Sequence, residues 1–365
     1  MKIQKIKEAL TKKFFEREQE IEGILTAILA RQHVLLIGPA GTGKSALSAE
    51  LKNIIKGSNY FQWLLTRFST PEELFGVLSL KELEQGIYKR NTSGKLPEAH
   101  FAFLDEIFKA NSAILNSLLT LINERLFYNN GTPFKAPLIT LIGSSNEYPE
   151  EGEGLEALFD RFLLRFEVNY LKEERTFIDM LKGNGQNVEI PSISLEELVQ
   201  YQFMVDLVNI PDDVCEALAE IRRRLHDEGI FPSDRRFKQS LSLLRAKAFL
   251  EGRTEVVVND IMLLANSLWE TIDQKNMVTQ IVRENAQDKV TMLIEEYTEV
   301  IAELIDSIKN DTSTETNVEV RKKLKEIEKD LKELKGKAKD TSKINKLLET
   351  ISNTCKKIEK SILGI

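Results

Sequence analysis

A run of eight residues near the start of the chain has the composition of a phosphate-binding loop. The run is Gly38-Pro39-Ala40-Gly41-Thr42-Gly43-Lys44-Ser45, which matches the P-loop pattern at every fixed position. Its glycines let the backbone turn N–H groups toward an anion. Lys44 supplies a cation for the β- and γ-phosphates, and the hydroxyl of Ser45 can ligate Mg²⁺. An apolar run before the loop and a helical pattern after it argue against a chance match.

Two adjacent carboxylates end a later apolar run, Phe101-Ala102-Phe103-Leu104-Asp105-Glu106. A strand that ends in this way places Asp105 beside the P-loop, where it can hold Mg²⁺. Glu106 is then positioned to polarise an attacking water as a general base. A kinase would transfer the phosphoryl group to a bound substrate, so a second carboxylate for water predicts hydrolysis instead.

A third apolar run, Leu138–Ile142, leads to Asn146. If this strand lies between the other two, the amide of Asn146 comes near the γ-phosphate and orients the water. The alternative is that Asn146 is an ordinary strand cap, and the residues themselves leave both interpretations open.

Two arginines are candidates for a group that stabilises the transferred phosphoryl, an effect worth about 10³–10⁵ in rate. Arg161 stands in Asp160-Arg161-Phe162, and Arg235 stands in Ser233-Asp234-Arg235-Arg236. The alternative for each is a surface ion pair, which contributes less than about 1 kcal/mol.

These side chains converge only if the strands that carry them lie in one parallel sheet. Residues 1–170 alternate short apolar runs with helical patterns such as Ile114–Glu124 and Gly154–Phe159. This alternation predicts an α/β fold with a parallel sheet between helices. The predicted strands are His33–Ile37, Phe61–Thr66, Phe101–Leu104, Leu138–Ile142 and Leu163–Val168.

After Val168 the pattern is helical throughout. The predicted helices are 173–183, 195–208, 212–227, 233–251 and 258–275. A linker is predicted at Gly183–Asn187. From residue 277 onward apolar residues recur at four-three spacing, with the bend of a helical hairpin at Gly336–Ser342. The predicted domains are a nucleotide-binding core at 1–185, an all-α lid at 186–276 and a helical extension at 277–365.

Composition and charge exclude several classes of protein. No apolar run approaches the ~20 residues that span a bilayer, and the first residues lack a signal-peptide core. Two cysteines and three histidines are scattered along the chain, which argues against a disulfide scaffold or a His/Cys metal site. The net charge is −14 over residues 1–320 and +7 from Arg321 onward, so the body is a poor match for a DNA backbone. The expected location is the cytoplasm.

The order of these features along the chain resembles that of the AAA+ ATPases. The features are the P-loop, the Asp-Glu strand, the Asn strand, the Asp-Arg-Phe segment and the helical second domain. Longer stretches are similar to the MoxR family and, within it, to the RavA-like subfamily. These stretches are Thr66–Gly76, Phe103–Ile107, Ile114–Thr120, Asn123–Arg125, Leu155–Leu158 and Ser233–Arg236. The resemblance runs from about residue 10 to about residue 275.

The resemblance implies a role for each candidate residue. Asp105 and Glu106 correspond to the Walker B pair, and Asn146 corresponds to sensor 1. Arg161 corresponds to the arginine finger that reaches a neighbouring subunit's nucleotide, with Arg165 as a nearby alternative. Arg235 corresponds to sensor 2, with Arg236 as its alternative.

The resemblance also implies ATP and Mg²⁺ as cofactors, a homo-hexameric ring and the remodelling or maturation of protein partners. Members of the family often work with a protein that carries a von Willebrand factor A domain. Residues 76–100 and the hairpin Phe127–Pro137, with Asn129-Asn130-Gly131 at its turn, correspond to inserts that face the ring pore or a client.

The sequence also bears on three alternatives: a decarboxylase client, a nucleic-acid motor and a scaffold without turnover. RavA-like proteins carry an inserted domain that binds a decarboxylase, but Asp311–Asn317 leaves no room for one, so the client is not identified. The rival function is an AAA+ motor or loader that acts on nucleic acid, against which the acidic body and the lack of a DNA-binding motif count. A scaffold without turnover is disfavoured by the presence of Glu106.

Overall fold

The computed structural model of the chain describes residues 1–149, 154–184, 188–286, 289–310, 314–335 and 342–363. The chain divides into two compact units, Met1–Thr279 and Gln280–Ile365. None of the helices in the described ranges is long and apolar enough to cross a membrane.

The first unit is built on a sheet of five parallel strands. The strands of the described residues are β1 (Val34–Ile37), β2 (Ile55–Lys56), β3 (Tyr60–Leu64), β4 (Phe101–Asp105), β5 (Leu126–Asn129), β6 (Thr132–Lys135), β7 (Thr140–Ser145), β8 (Leu164–Glu167) and β9 (Ile193–Ser194). The main sheet has the order β3-β4-β7-β1-β8. β7 therefore lies between the two strands that carry the P-loop and the paired carboxylates. This arrangement confirms the predicted parallel sheet.

Helices flank this sheet and continue beyond it. Those before β8 are α1 (Lys2–Lys13), α2 (Glu18–Ala30), α3 (Lys44–Ala49), α4 (Leu51–Ile54), α5 (Pro71–Phe75), α6 (Leu80–Leu83), α7 (Ser112–Glu124) and α8 (Glu156–Arg161). Those that follow are α9 (Glu174–Leu181), α10 (Leu195–Asp206), α11 (Asp212–Asp227), α12 (Asp234–Leu250) and α13 (Lys275–Ala286). α8 ends at Arg161, two residues later than expected, so Arg161 belongs to the helix.

The helices after the sheet are fixed to α2 by polar contacts as well as by packing. Glu22 of α2 accepts hydrogen bonds from Lys7 of α1 and Lys247 of α12. The side-chain amide of Gln202 in α10 donates to the carbonyl of Ile28 at 2.8 Å. Glu22 thus links α2 to both α1 and α12, and the buried amide of Gln202 links α2 to α10.

The prediction of a single helix over residues 258–275 is wrong. The chain instead forms a 3-10 helix at Val258–Asn266 and another at Ile272–Gln274 before α13 begins. Arg236 donates to the carbonyl of Ser267 at 2.7 Å, and Arg165 donates to the carbonyl of Trp269. Two carbonyls within the predicted helix are therefore acceptors for side chains that are distant in the chain.

A buried histidine joins the start of β1 to two neighbouring elements. Nδ1 of His33 accepts from the backbone N–H of Leu141 at 2.9 Å, and Nε2 lies 3.2 Å from the carbonyl of Ile122. Burial, and then the nearby guanidinium of Arg125, hold the pKa of His33 well below its ordinary value. The ring is therefore neutral in the folded chain at neutral pH.

We expect His33 to make the fold sensitive to mild acid. Below the ordinary histidine pKa of about 6.5, His33 binds a proton in the unfolded chain but stays neutral in the folded chain. The free energy of unfolding therefore falls as pH decreases, by up to about 1.4 kcal/mol per pH unit. Urea unfolding between about pH 7.5 and pH 5.5 measures this dependence. His33→Gln should be less stable overall but should show a shallower pH dependence. Equal slopes for the two chains would assign the effect to other groups.

The second unit contains α14 (Lys289–Asn310), α15 (Thr314–Lys335) and α16 (Ser342–Leu363). Their apolar faces share one core, with members from all three helices such as Ile301, Leu324 and Ile351. The predicted four-three stripes therefore pack against one another and against α14. The predicted bend at Gly336–Ser342 and the polar segment Asp311–Asn317 lie partly outside the described residues.

Candidate active site

The P-loop leaves β1 in a conformation that requires glycine at its first position. The N–H of Gly38 donates to the carbonyl of Ser145 at 3.0 Å. A Cβ atom at Gly38 would lie 2.1 Å from the carbonyl oxygen of Val168. Gly43 has a φ of 88° and directly precedes α3, which is a conformation that glycine adopts at little cost. The loop thus opens onto a helix N-terminus, where the backbone favours an anion.

Lys44 is buried and directed at the backbone of its own loop. Nζ donates to the carbonyls of Gly38 at 2.5 Å and Pro39 at 2.9 Å, and to Oδ1 of Asn146 at 3.3 Å. Burial lowers the pKa of Lys44, while Asp105 and Glu106 act in the opposite direction. Phosphate oxygens are stronger partners for this ammonium than the two carbonyls, so the loop is suited to bind a nucleotide.

Ser45 and Asp105 form a pair of oxygen donors beside the loop. Oγ of Ser45 donates to Oδ2 of Asp105 at 3.3 Å. A hydroxyl and a carboxylate are hard ligands that suit Mg²⁺, which takes one or two protein ligands and fills its shell with water and phosphate. These residues fit the predicted metal.

Glu106 lies at the end of β4 and faces the same site. Nδ2 of Asn146 donates to Oε1 of Glu106, and the amide of Asn146 therefore contacts both Lys44 and Glu106. The structure brings together Lys44, Ser45, Asp105, Glu106 and Asn146 from three parallel strands. Asn146 is exposed and has side-chain partners, which favours a role in the site over that of a simple strand cap.

A mostly apolar cavity of about 440 Å³ adjoins the P-loop at Gly41, Thr42 and Gly43. Its walls come from the P-loop, the segment between α1 and α2, and the segment around α9. The lining residues are Lys13, Phe14, Phe15, Arg17, Gly41, Thr42, Gly43, Tyr170, Leu171, Phe177 and Met180. The aromatic and aliphatic side chains suit a flat nucleobase, and sequence reasoning did not identify them.

Arg17 links two walls of this cavity by hydrogen bonds. Its guanidinium donates to the carbonyl of Thr42 at 3.3 Å and to that of Asn169. The neighbouring Glu16 accepts from the backbone N–H groups of Lys172 at 2.7 Å and Glu173 at 3.0 Å, ahead of α9. The adjacent pair Phe14-Phe15 before α2 is the signal that could have indicated this wall from the sequence.

Arg161 does not lie with the P-loop residues and the carboxylates of its own chain. Leu164 of β8 is level with Val34 at the amino end of β1, whereas the P-loop leaves the carboxyl end of β1. Among the described residues the ion pair of Arg161 is with Asp160, at 2.9 Å, and not with Asp105 or Glu106. In the part of the chain that the structure describes, the guanidinium therefore makes neither an ion pair nor a hydrogen bond with the nucleotide site of its own chain.

Arg235 and the two alternative arginines differ in exposure. Arg235 is exposed and reaches Oδ1 of Asn123 at 3.4 Å. Arg236 is buried and binds the carboxylate of Asp160 at 2.7 Å. Arg165 is buried with its cation over the ring of Phe159, 4.1 Å from the centroid. Arg165 and Arg236 therefore hold the fold together, and Arg161 and Arg235 are the better candidates for contacts outside it.

Comparisons with known proteins agree with this fold. Residues 1–207 match the family described as the MoxR domain in the MoxR-vWA-beta-propeller ternary systems, and residues 213–282 match the AAA lid domain. Uncharacterized protein MJ0812 of Methanocaldococcus jannaschii is 37% identical over 376 residues, covering 100% of this chain and 99% of that protein. Chaperone MoxR1 of Mycobacterium tuberculosis is 30% identical over 168 residues, covering 44% of this chain and 43% of that protein.

A solved structure supports the fold alone. The putative ATPase from Cytophaga hutchinsonii superposes with a TM-score of 0.63 at 18% identity, covering 77% of this chain and 93% of that one. The sheet, the flanking helices and the helical lid are those of an AAA+ ATPase. The chain belongs to the MoxR family of AAA+ ATPases.

Proposed function

We propose that this chain hydrolyses ATP with Mg²⁺ and uses the energy to remodel or mature protein partners. The observation that carries the proposal is the contact of Asn146 with both Lys44 and Glu106. A phosphate-binding cation and a carboxylate for water then share one orienting amide. Membership of the RavA-like subfamily stays a prediction from the sequence stretches.

The residues divide the hydrolytic step among them. Lys44 exchanges its two loop carbonyls for phosphate oxygens. Ser45 and Asp105 would hold Mg²⁺, which when bound would neutralise charge on the phosphates. Glu106 accepts the proton of the attacking water at a carboxylate oxygen. Asn146 fixes the carboxylate relative to Lys44, so the water is aligned with the γ-phosphate.

The active form is proposed to be a homo-hexameric ring in which Arg161 completes the site of a neighbouring subunit. Its distance from the P-loop edge of its own sheet supports this arrangement. Arg235 is proposed to act as sensor 2 from its exposed position at the start of α12.

The two inserts form one continuous surface that suits a protein client. Oδ1 of Asn129 accepts from the backbone N–H of Arg90 at 2.7 Å, and Oδ1 of Asn130 accepts from that of Tyr88 at 3.2 Å. Val77, Leu80, Tyr88 and Tyr128 are exposed on this surface. Exposed apolar side chains on linked loops are typical of a binding surface.

A partner with a von Willebrand factor A domain is proposed, because the matched family description names MoxR-vWA-beta-propeller systems. The test is capture by the Glu106→Gln chain in the presence of ATP and Mg²⁺ from native cytosol, with Lys44→Ala as the matched control. We expect a protein with such a domain only with the first variant. The captured protein, once purified, should stimulate ATP hydrolysis, whereas stimulation by duplex DNA instead would favour the nucleic-acid motor.

The second unit is expected to serve partner binding rather than chemistry. Its three helices bury their apolar faces in a core of their own, so removal of residues 289–365 should take away a self-contained element. Basal ATP hydrolysis should stay within about twofold of the full chain, and partner capture should weaken by about tenfold or more. Sedimentation of both chains is the control. Loss of assembly and hydrolysis together, at unchanged nucleotide affinity, would make the unit an assembly element.

A further inference from the structure

The carboxylate of Glu106 is held at both of its oxygens. Asn146 donates to Oε1, and Nζ of Lys109 lies 3.4 Å from Oε2. We infer that Lys109 is a positioning residue that restrains Glu106, and that its release raises the basal rate of ATP hydrolysis. This role rests on the proposed function, because it concerns the step in which Glu106 activates water.

The contact arises from the backbone geometry that follows β4. Glu106 has a left-handed φ of 53° and is followed by the 3-10 helix Ile107–Lys109. The backbone N–H of Lys109 donates to the carbonyl of Glu106 at 2.9 Å, and the two side chains pair across this turn. A left-handed non-glycine residue costs free energy and persists only where its surroundings hold it. The ion pair is therefore part of the turn that presents the base.

The two contacts of Glu106 differ in how easily they can be released. Asn146 is also bonded to Lys44, so its contact belongs to the phosphate-binding network. Lys109 is 43% exposed along its side chain and borders a cavity of about 390 Å³ that also reaches Arg67 and Tyr148. The ammonium has room to withdraw, and a screened ion pair of this kind is weak. Oε2 is thus the oxygen that can be freed to accept a proton from water.

If Lys109 restrains Glu106, its removal should change the rate of ATP hydrolysis in one direction, which a surface ion pair without this role would not do. General-base catalysis needs a carboxylate oxygen within about 2.6–3.2 Å of the water. While Lys109 occupies Oε2, the water competes with an ammonium for that position. Removal of the ammonium should raise the maximal rate without changing the affinity for ATP, because Lys109 contacts neither Lys44 nor the P-loop in the described part of the chain.

Lys109→Met tests this role, because methionine keeps most of the aliphatic stem and removes the charge. We expect kcat for phosphate release to rise by about two- to fivefold, with KM unchanged, since a partly exposed ion pair is screened by solvent. Lys109→Arg should retain the low rate, because a guanidinium can hold the same carboxylate. Lys52→Met, which removes an exposed lysine of α4, is the matched control and should behave as wild type.

Salt provides a second measurement, the ratio of the two kcat values as a function of ionic strength. Higher ionic strength weakens the Lys109–Glu106 pair, so the gain of Lys109→Met over the unsubstituted chain should shrink as salt is raised. An unchanged or lower kcat for Lys109→Met, with unchanged thermal stability, would overturn the role. If the unsubstituted chain binds nucleotide but releases no phosphate, the proposed function fails for it. A gain of turnover in Lys109→Met would then still support the restraint, and no gain would overturn it.

Discussion

Glu106→Gln is expected to lower steady-state phosphate release by about 10²–10⁴-fold while ATP affinity stays within about twofold of the unsubstituted chain. Glutamine keeps the size of the side chain and can still contact Asn146, but its neutral amide cannot accept a proton from water. The contact of Lys44 with Asn146 and the hydrogen bond between Ser45 and Asp105 do not involve the substituted carboxylate. The substitution therefore removes an interaction of the transition state and not of bound ATP.

Lys44→Ala is the contrasting variant and should weaken binding of a fluorescent ATP analogue by about 100-fold or more. This substitution removes the buried cation that is proposed to bind the phosphates, so the expected loss occurs in the ground state. Measuring affinity and phosphate release for both variants separates the two effects. Near-normal turnover by Glu106→Gln would assign the water-activating role to another group.

Arg161→Ala is expected to lower turnover by about 10³–10⁵-fold, the range found for an arginine that stabilises the transferred phosphoryl group. ATP binding by a single chain should persist, because Arg161 pairs with Asp160 and not with its own P-loop. The same variant removes one partner of Asp160, but Arg236 remains bound to that carboxylate. The fold around α8 should therefore survive.

Mixing Arg161→Ala with Lys44→Ala distinguishes a role in the neighbouring site from a role in the same chain. Each variant alone is inactive, but in an equimolar ring about a quarter of the head-to-tail interfaces join an intact P-loop to an intact Arg161. Partial recovery of phosphate release is expected. Lys44→Ala mixed with Glu106→Gln is the matched control and should not recover, since both residues belong to one site. Absence of recovery, with mixed rings verified by native mass spectrometry, would leave Arg161 a structural partner of Asp160.

Much of the nucleotide site could be predicted from the sequence. The P-loop is a local pattern whose glycines and lysine need no distant partner. Asp105 and Asn146 follow apolar runs, and carboxyl ends of parallel strands meet at one edge of a sheet. The order of the strands in the sheet could not be derived from the sequence, and the structure places β7 between β1 and β4. For this reason Asn146 reaches both Lys44 and Glu106.

Other parts of the molecule depended on contacts that no local pattern records. The apolar cavity joins segments around Phe15, Thr42 and Phe177, which are distant in the chain. The segment 258–275 has a helical apolar pattern. Within it, however, the carbonyls of Trp269 and Ser267 accept hydrogen bonds from the buried Arg165 and Arg236. Long-range hydrogen bonds there outweigh local propensity.

The sequence by itself determined the class of chemistry, because nucleotide binding and water activation need particular residue types at short spacing. It also determined the helical character of the extension, through four-three apolar spacing. Only the tertiary structure decided which arginines are buried and which are exposed, since Arg161, Arg165, Arg235 and Arg236 look alike in sequence. It likewise decided that Lys109 meets Glu106, because that contact spans a turn in which Glu106 is left-handed, a conformation that its residue type does not favour.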